Sequence, residues 1–221
     1  MKHAYMICAH HQFELLKKLI IMLDDEDNDI YIHIDKKARN FSEKDFNQIS
    51  KKSKLIFTKR ISVGWSGDSQ VEAELILLEA ATSCYHDYYH MITGQDLPIK
   101  TKREIKLFFE KNKGKEFVGL DKVACETNNF LDRLQYYHFN FASGKTTGLK
   151  RKISRMLIRF QQIIKIDRLK NTNLKFKKGS VYFDITHDFA KLIIEKMRND
   201  MSYVNAFKHT SYSDEIFVQT I

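Results

Sequence analysis

The sequence is poor in residues that break or cross-link a chain. It has one proline and eight glycines in 221 residues, so no Pro/Gly-rich linker divides it. Its three cysteines, Cys8, Cys84 and Cys125, are far apart and odd in number. No CxxC or Cys/His spacing suits a structural metal, and a reducing cytoplasm is the compartment they indicate. No apolar run reaches the roughly 18 residues that span a bilayer, and the opening Met1-Lys2-His3-Ala4-Tyr5 has no signal-peptide architecture. The G-x-S-x-G elbow and the G-x-G-x-x-G fingerprint are both missing, which argues against an α/β-hydrolase and an ordinary dehydrogenase. Gly144-Lys145-Thr146-Thr147 resembles a P-loop tail, but Phe139 stands where the first glycine is required.

What is present is globular. Hydrophobic residues make up 43% and aromatics 12%, enough for a substantial core in one domain. The formal charge of +9 is concentrated between Lys145 and Lys178, where Asp167 is the single acid. Such a bias favours an anionic partner: nucleic acid, an anionic membrane surface or a phosphate-bearing substrate.

Apolar runs of strand length alternate with helical periodicity along the first half. Strands are expected at Ala4–Ala9, Ile30–Ile34, Leu55–Phe57, Tyr88–Ile92 and Phe117–Leu120. Helices are expected over Gln12–Leu23, Phe41–Lys51, Ser69–Ser83 and Lys102–Lys111, with Val71, Leu75, Leu78 and Ala81 forming the inner face of the third. Ser180–Ile185 reads as a further strand. Asp188–Arg198 reads as a helix with Phe189, Leu192, Ile193 and Met197 inward. This order implies βαβ units and a mainly parallel sheet covered on both faces. Such sheets bind ligands at the carboxyl ends of their strands. That edge carries His10-His11, Asp35-Lys36-Lys37, Gly64-Trp65-Ser66-Gly67 and Thr93-Gly94-Gln95-Asp96. A carboxylate, an aromatic ring and glycines there are what a nucleotide site requires.

Other signals are weaker. Asp25-Glu26-Asp27 is a nominal Asp-x-Asp, but it precedes the second strand, on the amino edge, and reads as a solvated turn with no metal. His10 and His11 lack the i,i+4 partner of a helical metal site. Lys150–Arg168 sets Ile153, Met156, Leu157, Phe160, Ile163 and Ile164 at helical spacing among basic residues. It is either a cationic helix that rests on an anionic membrane or a structural helix that packs Ile153, Leu157, Phe160 and Ile164 on the sheet. Ser213-Asp214-Glu215 heads an apolar stretch and is an ordinary helix start as well as a candidate acid–base group.

Six segments, in order, carry a resemblance. They are Ala4-Tyr5-Met6-Ile7-Cys8-Ala9-His10-His11, Ile32-His33-Ile34-Asp35-Lys36-Lys37, Val63-Gly64-Trp65-Ser66-Gly67, Gly94-Gln95-Asp96-Leu97-Pro98, Gly179-Ser180-Val181-Tyr182 and Ser213-Asp214-Glu215. Together they resemble the core-2/I-branching β-1,6-N-acetylglucosaminyltransferases, whose domain is shared with peptide O-xylosyltransferases. The resemblance implies an α/β, GT-A-like nucleotide-sugar fold and an inverting, metal-independent transfer of N-acetylglucosamine from a UDP donor to a saccharide or glycolipid acceptor. It implies no cofactor and no metal, in the cytoplasm, in surface-polysaccharide synthesis.

Carried over by motif, Glu215 is the general base. Asp35 holds the uridine, the backbone of Cys8, Ala9 and His10 lines the base pocket, and Trp65 and Gly67 lie at the nucleotide. Arg133, Asp96 and Tyr182 face the acceptor, with Tyr182 standing where the family has tryptophan. Family members continue past the Asp-Glu motif into a segment whose arginine and lysine clamp the diphosphate, whereas this sequence closes at Ile221. The resemblance therefore implies a single glycosyltransferase domain over 1–221, truncated at its C-terminus, or a substitute clamp in the Lys145–Lys178 stretch. The alternatives are a nucleotide-sugar-binding remnant without turnover and a basic nucleic-acid-binding module. The basic stretch lacks interleaved stacking aromatics apart from Phe160 and Phe176, which speaks against nucleic acid.

Overall fold

The structure is a computed structural model that describes residues 1–64, 66–138 and 148–221; Trp65 and Lys145 lie outside the described residues. In chain order the elements are β1 (His3–Ala9), α1 (Phe13–Leu23), β2 (Asn28–Ile34), a 3₁₀ turn (Glu43–Phe46), β3 (Lys54–Phe57), α2 (Ser69–Ala81), β4 (Tyr88–Thr93) and α3 (Lys102–Lys111). There follow β5 (Phe117–Leu120), α4 (Lys122–Thr127), α5 (Asp132–Gln135), α6 (Leu149–Ile163), β6 (Gly179–Thr186), α7 (His187–Asn199), α8 (Met201–Phe207) and 3₁₀ turns at Ser213–Glu215 and Val218–Thr220. The strands form one sheet in the order β3-β2-β1-β4-β6-β5. β1 pairs in parallel with β2 and β4, β2 in parallel with β3, and β6 runs antiparallel to β4. The α/β class and the mainly parallel sheet read from the alternation are what the chain forms. Strand order reverses at β1, so the carboxyl ends of β1 and β4 mark the switch point where such sheets take ligands.

The chain forms two compact units. The first comprises Met1–Ile61, Ala73–Phe117 and Tyr182–Ile194, and the second Ser62–Glu72, Val118–Val181 and Glu195–Ile221. In the first, β1 and β2 are buried at successive residues, as strands covered on both faces must be. Leu16, Leu19, Ile20 and Leu23 recur at helical spacing on α1 and join Tyr5, Ile7, Ile30, Ile32 and Ile34 in one cluster. Each such side chain contributes about 1.5–3 kcal/mol when fully buried. A capping box starts α3: Thr101 Oγ1 accepts from the Glu104 N–H (3.3 Å), and Glu104 Oε2 accepts from the Thr101 N–H (2.9 Å).

Three expectations are corrected. The helix expected over Phe41–Lys51 is only the turn at Glu43–Phe46. Asp24 takes the end of that segment instead, accepting from the N–H groups of Lys51, Lys52 and Ser53 and from Ser50 Oγ. Burial alone would raise the Asp24 pKa, but these bonds outweigh it and hold the carboxyl below its usual range. On α2 the buried apolar positions are Val71, Ala73, Leu77, Leu78 and Ala81, while Leu75 is only half-buried; on α7 Leu192 is exposed and Ile194 buried. The third correction concerns α6, which ends at Ile163 and leaves Phe160 and Ile164 exposed rather than packed on a sheet.

The second unit is built on Phe130, Leu134, Tyr203, Phe207, Ile216, Phe217 and Val218, all buried. The Tyr203 hydroxyl donates to the Phe217 carbonyl, fixing the last turn of chain. Asp214 is also buried, 6% exposed, with Oδ2 accepting from Gln70 Nε2 at 2.8 Å. Oδ1 has no partner. Desolvation, and then the Glu215 charge, push the Asp214 pKa up to about 6. Gly179 permits the closest approach in the unit: a Cβ there would stand 1.7 Å from the Gly119 carbonyl oxygen and 3.0 Å from Gln219 Cγ.

Two outcomes are expected from this packing. Gly179→Ala should cost at least about 2 kcal/mol of stability, read as a lower urea midpoint with an unchanged slope. Because the folded Asp214 holds its proton to about pH 6 while the unfolded one releases it near the ordinary 3.8, stability falls as pH rises through that window and stays reduced above it. Asp214→Asn should therefore raise Tm above pH 6, by a free energy on the order of 2 kcal/mol. The gain should vanish toward pH 4 in thermal melts at a series of pH values.

Candidate functional site

The first unit supplies the carboxyl-edge residues. β1 ends in the half-buried Cys8 and the buried Ala9, and exposed His10 and His11 follow with stacked rings, 4.0 Å between centroids. Gln12 then takes a left-handed conformation to enter α1. Burial lowers the His10 pKa, His11 lowers it further, and Asp35 opposes both, which places the Asp35 carboxylate within electrostatic reach of His10. Asp35 itself is 8% exposed. Its N–H donates to the Ala9 carbonyl (2.9 Å), its Oδ1 accepts from the Lys37 N–H (2.9 Å), and Lys37 Nζ lies 3.5 Å from Oδ2. Cys8, Ala9, His10 and Asp35 thus stand at one strand edge.

Two further residues hold this edge. Arg60 donates to the carbonyls of Ile34 (3.2 Å), Asp35 (2.9 Å) and Ala38 (2.9 Å) and lies over the Phe41 ring. Sequence reasoning passed over it, although Arg60 lies nearer the end of β3 than the Gly64–Gly67 segment that was chosen. The Gly94 N–H donates to the Cys8 carbonyl at 2.9 Å, and a Cβ on Gly94 would stand 2.7 Å from Ala9 Cβ. Glycine there lets the end of β4 lie against the strand end that carries the candidate pocket.

Asp96 is placed differently from the rest. Its Oδ2 turns back to accept from the Thr93 N–H (2.6 Å) and Oγ1 (2.9 Å), closing the turn after β4. It also lines a cavity of about 470 Å³ whose walls are mainly apolar, among them Tyr5, Ile92, Phe108 and Phe109. Tyr182, on β6, is 45% exposed.

The second unit holds the charged cluster. Glu215 Oε2 accepts from Arg133 Nη1 at 2.8 Å and lies 3.5 Å from Lys178 Nζ; the Glu215 side chain is about one-third exposed, at 32%. Lys178 Nζ also meets Asp121 Oδ2 at 3.2 Å. Asp121 is the N-cap of α4, with Oδ1 accepting from the Ala124 N–H at 3.0 Å, and its own N–H donates to the Lys178 carbonyl at 2.8 Å. The bond from the Ala124 N–H, and then that from Lys178, hold the Asp121 carboxyl below its ordinary value. Arg133 is fixed by its backbone carbonyl, which accepts from the Ser211 N–H, and by its position over the Tyr212 ring at 5.0 Å. Tyr212 in turn donates its N–H to the Ser66 carbonyl. Gly67, in the turn ahead of α2, donates to the Gly64 carbonyl and accepts from the Gln70 N–H. Gln70 closes the circuit through Asp214.

Arg133, expected at the acceptor, is therefore committed first to Glu215. Lys178, Asp121 and Gln70 were not singled out from sequence. Lys178 was one cation in a long basic run, and the only local signal for it was the glycine that follows. Chemically, the cluster orients one carboxylate by its Oε2. Oε1 carries neither of these contacts. Among the described residues, no three His, Cys, Asp or Glu side chains converge as a metal site would. Asp25 and Asp27 of the acidic turn both engage Lys106, at 2.6 and 2.7 Å.

The comparisons with known proteins agree with the motif order. The family model described as Core-2/I-Branching enzyme matches residues 3–221. A human N-acetyllactosaminide beta-1,6-N-acetylglucosaminyl-transferase is 24% identical over 99% of this chain and 52% of its own length, and the mouse protein of that name gives the same figures. A bovine beta-1,3-galactosyl-O-glycosyl-glycoprotein beta-1,6-N-acetylglucosaminyltransferase is 24% identical over 99% of this chain and 48% of its own. The solved apo structure of mouse xyloside xylosyltransferase 1 aligns with 99% of this chain and 80% of that one, at 10% identity and a TM-score of 0.38. The chain spans about half the length of the relatives it matches in sequence. With the family model covering all but its first two residues, the chain belongs to the Core-2/I-branching enzyme family.

Proposed function

We propose that the chain carries the catalytic site of an inverting, metal-independent glycosyltransferase. It moves N-acetylglucosamine from a UDP donor to a saccharide or glycolipid acceptor in surface-polysaccharide synthesis. The setting is the cytoplasm, with peripheral contact at the inner face of the membrane. The choice of sugar follows the names of the relatives, which are N-acetylglucosaminyltransferases.

The observation that carries the reading is the Glu215 carboxylate, held through Oε2 by Arg133 and Lys178. A general base must be oriented within hydrogen-bond reach of the proton it removes. In the step that follows, the acceptor hydroxyl gives its proton to Glu215 Oε1. Its oxygen bonds to the anomeric carbon, and the bond from that carbon to the UDP oxygen breaks, in one displacement with inversion. Asp35 takes the uridine, with the Cys8–His10 backbone and Gly67 at the nucleotide. Trp65, outside the described residues, belongs to the same nucleotide set by motif. Asp96 and Tyr182 lie toward the acceptor. The engagement of Asp25 and Asp27 by Lys106 supports a donor site without a metal-binding Asp-x-Asp.

Glu215→Gln should lower transfer about 10²–10⁴-fold while UDP affinity by calorimetry stays within about twofold; turnover retained at wild-type level would remove the base assignment. Transfer from UDP-N-acetylglucosamine should persist in excess EDTA, and its abolition with rescue by a divalent cation would overturn the metal-free reading. Gly94→Ala, which forces Ala9 aside, should weaken UDP binding more than it slows transfer at saturating donor.

A further inference from the structure

α6 is held to its unit by the buried Gln161 and the half-buried Ile153, Leu157 and Ile158, and turns a second set of apolar side chains outward. Gln161 is 4% exposed, and its amide is bound at both ends to one residue: Oε1 accepts from the Tyr137 N–H (2.8 Å) and Nε2 donates to the Tyr137 carbonyl (3.0 Å). At about 100° per residue, Met156, Phe160, Ile163 and Ile164 share one arc of the helix surface that does not include Gln161. They are 63%, 56%, 76% and 51% exposed. Lys152, Arg155 and Arg159, also exposed, run along one flank of this arc. Between Leu149 and Ile166 there is no acidic residue at all.

We propose that this outward face of α6 docks on an anionic lipid bilayer, the apolar side chains entering the interface and Lys152, Arg155 and Arg159 meeting the headgroups. The inference rests on the membrane setting of the proposed function and supplies the surface that makes the contact, independently of the transfer chemistry. An apolar arc flanked by cations is the pattern of a helix lying in the interfacial plane. A second copy of the chain is a poorer occupant, because isologous contact would bring like charges together with no carboxylate to pair them. Nucleic acid would use the cations but leave the aliphatic Met156, Ile163 and Ile164 without a role.

The test is flotation of the 221-residue chain with phosphatidylcholine vesicles, with and without phosphatidylglycerol. Binding is expected to the anionic vesicles and to weaken at high salt. The exposed-site variants Arg155→Glu/Arg159→Glu and Phe160→Ser/Ile163→Ser should each reduce it by about tenfold or more while leaving the circular dichroism spectrum and UDP affinity unchanged. Absence of wild-type flotation, equal binding to both vesicle types, or binding unaltered in both variants would overturn the proposal. So would concentration-dependent self-association abolished by Phe160→Ser/Ile163→Ser, or RNA binding that competes with vesicles and survives that variant. UDP titration of the same samples separates this result from the catalytic reading: intact UDP binding without flotation removes only the membrane contact.

Discussion

The approach of Gly179 to the Gly119 carbonyl is the constraint on which the charged cluster depends. With no room for a Cβ at 179, the start of β6 can lie against β5 closely enough for the Asp121 N–H to reach the Lys178 carbonyl. That one backbone bond sets Lys178 beside Asp121 and within 3.5 Å of Glu215. Gln219 reinforces it from the end of the chain by donating to the Ser180 carbonyl at 2.7 Å. The buried run Ile216–Val218 then anchors the turn that bears Glu215. A carboxylate assigned to chemistry is thus positioned by glycine sterics, sheet pairing and a small aromatic core. Few of the residues that place it are themselves chemically active.

Asp214 and Glu215 show how adjacent carboxylates are driven apart in character by their surroundings. Asp214 is buried and loses water, and the neighbouring Glu215 charge adds to that, so its proton is held to about pH 6 although Gln70 donates to it. Glu215 points the other way, toward two cations and partial solvent. Acid–base assignments commonly follow such a split between neighbours. Here the buried member serves the fold and the outward member serves the proposed chemistry.

Much of the architecture was legible in the sequence because its signals are local. The apolar run Ala4–Ala9 and the spacing of Leu16, Leu19, Ile20 and Leu23 each report one element without reference to the rest. The losses occur where distant residues decide. Asp24 draws the N–H groups of Lys51–Ser53 into a turn and so cancels a weak helical pattern. On α6 periodicity does not say which face is covered: Gln161 is buried, Ile153 and Leu157 are half-buried, and Phe160 and Ile164 stay exposed. The motif residues Cys8, Ala9, His10 and Asp35 follow adjacent parallel strands and share one edge of the sheet. Arg60 donates to carbonyls 22 to 26 residues away, and the Lys178 ammonium meets Asp121, 57 residues away, as well as Glu215, pairings that no local pattern encodes.

Arg60 has a thermodynamic consequence for the proposed nucleotide edge. By bridging the carbonyls of Ile34, Asp35 and Ala38 it closes the loop after β2 into a ring through contacts made within the chain. Association therefore has little loop entropy left to lose at Asp35, since that ordering was completed during folding. Affinity at this edge is then governed by how well a ligand matches a shape already set, and the same rigidity makes the loop selective against ligands that would need it to adapt.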